Sequence, residues 1–287
     1  MMICAITMVY RDYWALSEWY SHYGRAVGHE NLYVISHGPD PEIQRICPEA
    51  SVLVVPRDDL THFDVRRGQM LNNFQNGLNQ YFDWVIRTDA DELVCLDPTY
   101  YASFHDLFER QEGGSVFALG LDVYDFSDDP PLSEGTPALS QRRNAVFTGH
   151  YSKAWAVRNR IALKRHGVKL RSKLVSEYPF NMPKGVYLAH LKYANRAALD
   201  DVNHDRVLVA NADGLGLPGP AWRDAPKVTR RTLNRAEGLP CHPFEQSADA
   251  AWRELQNPVR DEKNGIVRAR SVKFGSRTVL PDWFGST

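Results

Sequence analysis

The sequence has no pair of cysteines close enough for a zinc site of the C-x-x-C type. Its four cysteines, Cys4, Cys47, Cys95 and Cys241, are widely scattered along the 287 residues. Cys4 and Cys95 lie in or beside apolar runs, so we interpret them as small core residues. This cysteine usage is compatible with a reducing compartment.

Long apolar runs and a strong excess of charge are also absent. No stretch approaches the roughly 20 apolar residues that a helix needs to span a bilayer. Residues 1–10 lack a basic segment, and we interpret them as a first strand rather than a signal peptide. The net charge of −1 gives no general attraction to nucleic acid. We find no internal repeat and no low-complexity segment.

Short apolar runs separated by helical patterns dominate the first two thirds of the chain. They predict an α/β fold with a mostly parallel sheet flanked by helices. The strands are expected at residues 3–9, 32–35, 52–55, 84–86, 115–121, 154–157 and 186–191. Helices are expected at residues 16–27, after a capping box at 61–64, and at 195–211.

A breaker-rich stretch at residues 213–220 marks a change of character. We therefore predict a domain of residues 1–212 and a C-terminal extension of residues 213–287. The extension is locally basic and carries scattered aromatic residues. Two readings stay open: it packs back on the domain, or it binds a partner or an anionic membrane surface.

Polar segments follow several predicted strands, at residues 7–12, 36–38, 57–59 and 89–92. In open α/β sheets, ligands bind at the carboxyl ends of the strands. Thr7 and Arg11 would lie at this edge. Near the start of the following helix, Arg66 or Arg67 could meet a phosphate.

The most informative segment is an apolar run that ends in three carboxylates, Asp89, Asp91 and Glu92. Carboxylates held this close repel one another unless a cation lies on them, and oxygen ligands suit Mg²⁺ or Mn²⁺. In extended chain Asp89 and Asp91 point the same way. The two could share a metal, or one could hold the metal and the other a ligand hydroxyl. The alternative is a solvated acidic turn.

The acidic loop at residues 122–134 follows another buried strand, and loops of this kind often carry the acceptor side of a site. Positive charge follows at Arg142, Arg143 and Lys153. A histidine, His190, lies inside the apolar run at residues 186–191 and is either a ligand or a core residue.

The α/β start followed by D-W-V-I-R-T-D-A-D-E resembles the inverting glycosyltransferases of the family-2-like group, which have the GT-A fold. Residues 151–158, 166–167 and 188–192 also resemble later landmarks of that group, and the resemblance covers residues 1–212. It implies a nucleotide-sugar donor, a divalent cation (Mn²⁺ or Mg²⁺), and a glycan or lipid-linked acceptor, as in bacterial polysaccharide synthesis. A cytoplasmic location, with peripheral membrane contact through the extension, would fit this role.

The resemblance also implies roles for individual residues. Asp91 would be a metal ligand, Asp89 a ribose or metal partner, and His190 the late metal ligand. Thr7, Arg11, Arg66 and Lys153 become candidates for donor binding. The group's usual base motif, which ends in E-D, is missing, so the base would come from the acidic loop. The candidates are Asp122 and Asp125, with Asp128, Asp129 and Glu134 as alternatives.

Two other classes of function stay open. One is a catalytically inactive glycan-binding or scaffold protein of the same fold. The other is a D-x-D phosphotransferase of the haloacid-dehalogenase type. That group has Thr or Val two residues beyond the second Asp, where this chain has Leu93.

Overall fold

Strands and helices alternate through the first half of the chain, as the apolar runs predict. The computed structural model describes residues 1–286. Its strands are β1 (Ile3–Val9), β2 (Leu32–His37), β3 (Ser51–Val55), β4 (Trp84–Arg87), β5 (Glu92–Leu96), β6 (Ser115–Phe117), β7 (Leu119–Tyr124), β8 (Asn144–Phe147), β9 (Ala154–Val157), β10 (Ala162–Lys164), β11 (Gly167–Lys169), β12 (Val186–Tyr193), β13 (Val259–Asp261), β14 (Ile266–Arg268) and β15 (Thr278–Val279). Its α-helices are α1 (Tyr13–Val27), α2 (Pro41–Ile46), α3 (Phe63–Leu78), α4 (Phe104–Glu109), α5 (Ala138–Gln141), α6 (Arg196–Ala210), α7 (Pro220–Arg223), α8 (Ala225–Glu237) and α9 (Phe244–Leu255).

The strands form three sheets. The first has the order β3-β2-β1-β4-β9-β6, and its first four strands are parallel. The second has the order β15-β8-β7-β12-β5 and is mixed, with β12 parallel to β7 and antiparallel to β5. A smaller antiparallel sheet has the order β10-β11-β14-β13. The chain is therefore an α/β protein with a mostly parallel sheet flanked by helices, as the sequence predicts.

Strand β1 shows why its sequence is apolar throughout. Ile3, Ala5 and Val9 pack in the main core with α1, whereas the alternate residues pack under α3. Because successive side chains of a strand point to opposite faces, a strand covered on both faces has no polar side. Strand β3 differs: it lies at the edge of the sheet, and Leu53 and Val54 are exposed.

Three details of the sequence prediction are wrong. The apolar run at residues 115–121 forms two strands, β6 and β7, which belong to different sheets. Because the run is apolar throughout, its sequence does not indicate where the chain passes from one sheet to the other. The capping box at 61–64 does not form; His62 begins α3 in a left-handed conformation (φ 52°) without a side-chain cap. Beyond the strand at 186–191, where the sequence analysis expected no further strand, the chain forms β13, β14 and β15.

The described part of the C-terminal extension packs on the rest of the chain. Strand β14 pairs with β11, and β15 pairs with β8. Side chains of the extension also enter the main core, namely Phe244, Ala248, Ala251, Leu255, Val267, Leu280 and Phe284. The domain boundary at residues 212/213 stays a prediction, but these contacts favour the packed reading of the extension.

Among residues 1–286, no helix has the length and apolar character that crossing a bilayer requires. Cys4, Cys47 and Cys95 are buried, whereas Cys241 is exposed.

Truncation after Asn211 should prevent folding. It removes the strands that pair with β8 and β11 and the buried side chains of Phe244, Leu255, Leu280 and Phe284. Each such side chain contributes roughly 1.5–3 kcal/mol by burial, so four approach the ~5–15 kcal/mol of a whole domain. We expect insoluble protein or no cooperative melting transition by circular dichroism. A soluble fragment that melts cooperatively would show instead that residues 1–211 fold alone.

Candidate active site

Residues 88–91, which we call the acidic turn, lie where the chain crosses from the first sheet to the second. Strand β4 ends at Arg87 in the first sheet, and β5 begins at Glu92 in the second. Residues 88–91 between them form a turn, so the alternation expected for extended chain does not apply. The Asp89 carboxylate pairs with Arg67 and Lys153, whereas that of Asp91 meets His190. The two aspartates therefore have different partners.

Strand pairing aligns three charged side chains across the second sheet. His190 of β12 lies opposite Glu92 of β5 and also opposite Asp122 of β7. Residues directly opposite each other on paired strands lie on the same face. His190 Nδ1 donates to Asp122 Oδ1 at 2.6 Å, and its Nε2 lies 3.3 Å from Asp91 Oδ2. The ring thus joins a carboxylate of the turn to one of the acidic loop.

The charge state of His190 follows from these two carboxylates. Burial of the ring disfavours its protonated form, but Asp91 and Asp122 outweigh burial and raise the pKa of His190 to about 9. Without a metal, the ring is therefore a cation between two anions at neutral pH.

Glu92 binds the backbone of the turn and the side chain of Lys153. It is fully buried, and its Oε2 accepts from Lys153 Nζ at 2.7 Å and from the Asp89 backbone N–H at 2.9 Å. Burial raises the pKa of Glu92, and Lys153 opposes that shift. For Lys153, burial is outweighed by Glu92 and Asp89, which raise its pKa. The buried ions therefore neutralise one another.

A tyrosine covers His190 on the cleft side. The Tyr151 ring stacks on the His190 ring with centroids 3.7 Å apart. The loop that carries Tyr151 lies directly on β7 at Gly120, where a Cβ would come within 2.3 Å of the Tyr151 backbone. Ser152 Oγ accepts from the Gly120 N–H at 2.9 Å. Glycine at position 120 therefore permits the close approach that seats Tyr151.

A cleft of about 410 Å³ lies at the carboxyl ends of β1 and β4, and it is lined by Asp89, Asp91, Tyr151 and His190 among others. Cationic side chains line it, namely Arg57, Arg67, Lys192 and Arg206. Besides Tyr151, three aromatic rings line it, namely Tyr10, Phe63 and Trp222. Arg57 stacks on Tyr10 with its Cζ 3.4 Å from the ring centroid. Asp12 also faces the cleft, and burial together with Asp91 raises its pKa to about 7.

The structure brings together only some of the residues that the sequence nominates. Asp89, Asp91 and His190 line the cleft, and Asp122 and Lys153 contact them. Arg11 lines a neighbouring cavity of about 460 Å³ beside His37.

The remaining three candidates lie elsewhere. Thr7 is buried in β1 and does not line the cleft. Arg66 is exposed and pairs with Asp59 at 2.6 Å. Asp125 pairs with Arg142 at 3.2 Å and accepts from the Arg196 backbone N–H, so it serves the loop rather than the cleft.

Several lining residues escaped the sequence analysis. Lys192 follows His190 by two residues along one strand, a spacing that places both on one face. Arg206 shares helical spacing with Val202 and Val209, which also line the cleft. The spacing of Lys192 and of Arg206 in the sequence could therefore have indicated that both face the cleft. No such spacing points to Trp222, because only tertiary folding brings α7 to the cleft.

Comparisons with known proteins give no family. No family model and no curated protein matches this sequence. Solved structures match weakly: a cytidylyltransferase from Leptospira borgpetersenii serovar Hardjo-bovis (14% identity, 41% of this chain, 54% of that chain, TM-score 0.26); a CMP:2-keto-3-deoxy-manno-octonic acid synthetase complexed with CTP (13%, 83%, 87%, 0.28); and S. aureus TarS (12%, 83%, 43%, 0.34). The chain spans about half the length of the first and less than half of the third. We draw no conclusion about this chain from similarities of this size.

The His190→Gln variant tests whether His190 is protonated between Asp91 and Asp122 in metal-free protein. A raised pKa in the folded state stabilises the fold fully below the unfolded-state value of 6.5, and this stabilisation is lost as pH rises through about 9. The difference in free energy of unfolding between wild type and variant should therefore shrink from pH 6.5 to 9, by on the order of 3 kcal/mol. Urea titrations with a chelator at a series of pH values measure it.

The same substitution at exposed His105 is the control. A wild-type-minus-variant difference that stays constant across this pH range would contradict an imidazolium held between Asp91 and Asp122.

Proposed function

We propose that the chain is a metal-dependent glycosyltransferase that moves a sugar from a nucleotide-sugar donor to an acceptor hydroxyl, with inversion at the anomeric carbon. One observation carries the proposal: a single cleft at the carboxyl ends of β1 and β4 combines Asp91 and His190 with four cationic groups and three aromatic rings. This combination suits a ligand with a flat base and a diphosphate.

The donor would lie along the cleft. Arg57, Arg67, Lys192 and Arg206 would bind the diphosphate, and the aromatic rings would contact the base. Asp89 holds Arg67 by an ion pair, so its role in donor binding would be to position that guanidinium. Lys153 would act in the same indirect way, because it is buried against Glu92.

A divalent cation fits Asp91 and His190. Within residues 1–286, no three His, Cys, Asp or Glu side chains converge into a complete metal site. Mg²⁺ and Mn²⁺ need fewer protein ligands than that, because water and substrate phosphates complete their shells. The Asp91 carboxylate and His190 Nε2 are adjacent, and Asp122 fixes the ring through Nδ1. When bound, the cation would neutralise charge on the departing diphosphate.

The chain's own groups would move the proton. Asp122 would take the proton of the acceptor hydroxyl as that oxygen forms a bond to the anomeric carbon. The bond from this carbon to the diphosphate breaks, and the nucleoside diphosphate leaves with the electron pair. Cationic side chains of the cleft would stabilise the charge that develops on it. Asp125 is set aside as the base because Arg142 and Arg196 engage it.

The acceptor would be a glycan or a lipid-linked saccharide. The extension would serve this function by lining the cleft through Trp222. Arg231 and Arg235 of α8 would give it peripheral contact with an anionic membrane surface.

Replacing Asp91 tests the donor site. Asp91→Asn removes a negative charge from the proposed metal ligands, so Mn²⁺-dependent affinity for a nucleoside diphosphate should fall more than about tenfold. A thermal-shift screen of UDP, GDP, CDP and ADP with and without Mn²⁺ selects the nucleotide, and calorimetry measures its affinity. Asp58→Asn, at an exposed carboxylate, is the control. Equal affinities for wild type and Asp91→Asn would refute the metal assignment.

Replacing Asp122 tests the base. Asp122→Asn should lower turnover by about 10²-fold or more, the usual scale for loss of a general base, with Mn²⁺ and donor both saturating. Saturation is needed because the variant also loses the carboxylate that orients His190. Turnover is followed as release of nucleoside diphosphate from the sugar donor. Asp128→Asn, in the exposed part of the same loop, should retain activity. Near-normal turnover of the Asp122→Asn variant would rule this residue out as the base.

A further inference from the structure

A second cavity lies on the far side of the His190–Asp122 pair. Its volume is about 330 Å³, and Asp122 lines it whereas His190 and Tyr151 line the first cleft. The intervening loop also serves both cavities, with Thr148 on one side and His150 on the other. The proposed base therefore lines the second cavity, and its carboxylate accepts from His190, which lines the first cleft.

The second cavity owes its charge to the C-terminal extension. Arg231 and Arg235 of α8 and Lys273 line it, together with a single carboxylate, that of Asp122. Within residues 1–286, no carboxylate oxygen lies within 4.0 Å of the charged nitrogens of these three side chains. Arg235 donates to the Phe274 carbonyl at 3.3 Å, which leaves most of its donors free. Three cations thus line this cavity against one carboxylate, which already accepts from His190.

The lining also has an apolar part. Tyr124 and Val146 of the second sheet form one side, and Val228 and Leu239 belong to the extension. A ligand that matches this cavity therefore carries at least one negative charge on a compact group. It also has an apolar part and a hydroxyl that can reach Asp122.

We propose that this second cavity binds the acceptor, and that the acceptor carries a phosphate ester recognised by Arg231, Arg235 and Lys273. Phosphate fits better than a single carboxylate, because its oxygens accept from several forked donors at once and its charge approaches that of the three cations. The inference rests on the proposed function, since it gives the cavity its place in the transfer. The phosphate serves for recognition only. The attacking oxygen is that of a hydroxyl of the same molecule, which lies beside Asp122.

The test uses glycerol phosphate as the probe, since it is a small phosphate ester with free hydroxyls, and glycerol as the neutral control. The first cleft is kept saturated with Mn²⁺ and the nucleoside diphosphate that gives the largest thermal shift, so that the probe cannot bind there. Affinity is measured by calorimetry or by ligand-detected NMR for wild type, Arg231→Gln, Arg235→Gln, Lys273→Gln and the triple variant.

Wild type should bind glycerol phosphate and not glycerol. Each single variant should bind at least about threefold more weakly, and the triple variant more than about tenfold, the loss expected for charge-assisted hydrogen bonds. Arg230→Gln, at an exposed neighbour on α8 that does not line the cavity, should bind as wild type does. The replaced side chains are exposed, so melting temperatures should stay close to that of wild type.

A second arm separates soluble from lipid-borne phosphate. Vesicles of phosphatidylcholine with phosphatidic acid are compared with vesicles of phosphatidylcholine alone in a sedimentation assay. Binding to the acidic vesicles that the triple variant loses and Arg230→Gln retains supports a lipid-borne phosphate, whereas binding of glycerol phosphate alone supports a soluble one.

The inference is overturned if neither probe binds, or if the triple variant binds them as well as wild type does. Failure of the proposed function looks different, because wild type would then bind no nucleoside diphosphate at all. A protein that binds the nucleotide but shows no dependence on the three cations refutes this inference and leaves the proposed function standing.

Discussion

The pairing of β12 between β5 and β7 is the constraint on which the rest of the site depends. It sets His190 beside Glu92 on one flank and Asp122 on the other. A shift of one residue would turn the imidazole to the opposite face of the sheet and break both contacts. The apolar neighbours of His190 in β12 are buried on both faces, so the contacts of His190 with Asp91 and Asp122 depend on this register. The polar chain from Asp91 to Asp122 is a consequence.

Charge balance makes the buried acidic turn tolerable. Burying an unpaired carboxylate is strongly unfavourable, but a paired one can be retained. Glu92 meets Lys153, Asp89 meets Arg67, and Asp91 meets the raised-pKa ring of His190. For Asp12, burial together with Asp91 raises the pKa to about 7, and the nearby charge of Arg206 opposes that shift only in part. A positive charge added between Asp12 and Asp91 would therefore reduce the repulsion between these two carboxylates.

The C-terminal extension links stability to the site. Its strands complete two sheets, and its aromatic residues fill the main core. The same segment supplies Trp222 to the first cleft and Arg231, Arg235 and Lys273 to the second cavity. Contact between residue 215 and His62 at the start of α3 holds its first part against the cleft wall. Removing the extension would therefore affect folding and both cavities together.

The sequence by itself determined several of the core strands and the edge at which the cleft lies. Apolar runs predicted β1, β2, β4, β9 and β12, and Asn195 caps α6 at the predicted start. Both signals are local, since they depend on side-chain periodicity and on hydrogen bonds within one turn. The placement of Asp91 and His190 near the carboxyl ends of strands followed from the same local pattern.

Only the tertiary structure decided which nominated residues meet. Asp122 and Asp125 are equally acidic in sequence, but only Asp122 lies opposite His190 in paired strands, whereas Asp125 meets Arg142. Asp89 and Asp91 separate because a turn replaces the extended chain that alternation assumes. Trp222 reaches the cleft through packing of a distant helix. Each of these contacts joins residues far apart in the chain, and strand register and helix packing, which follow from burial of the whole core, set them.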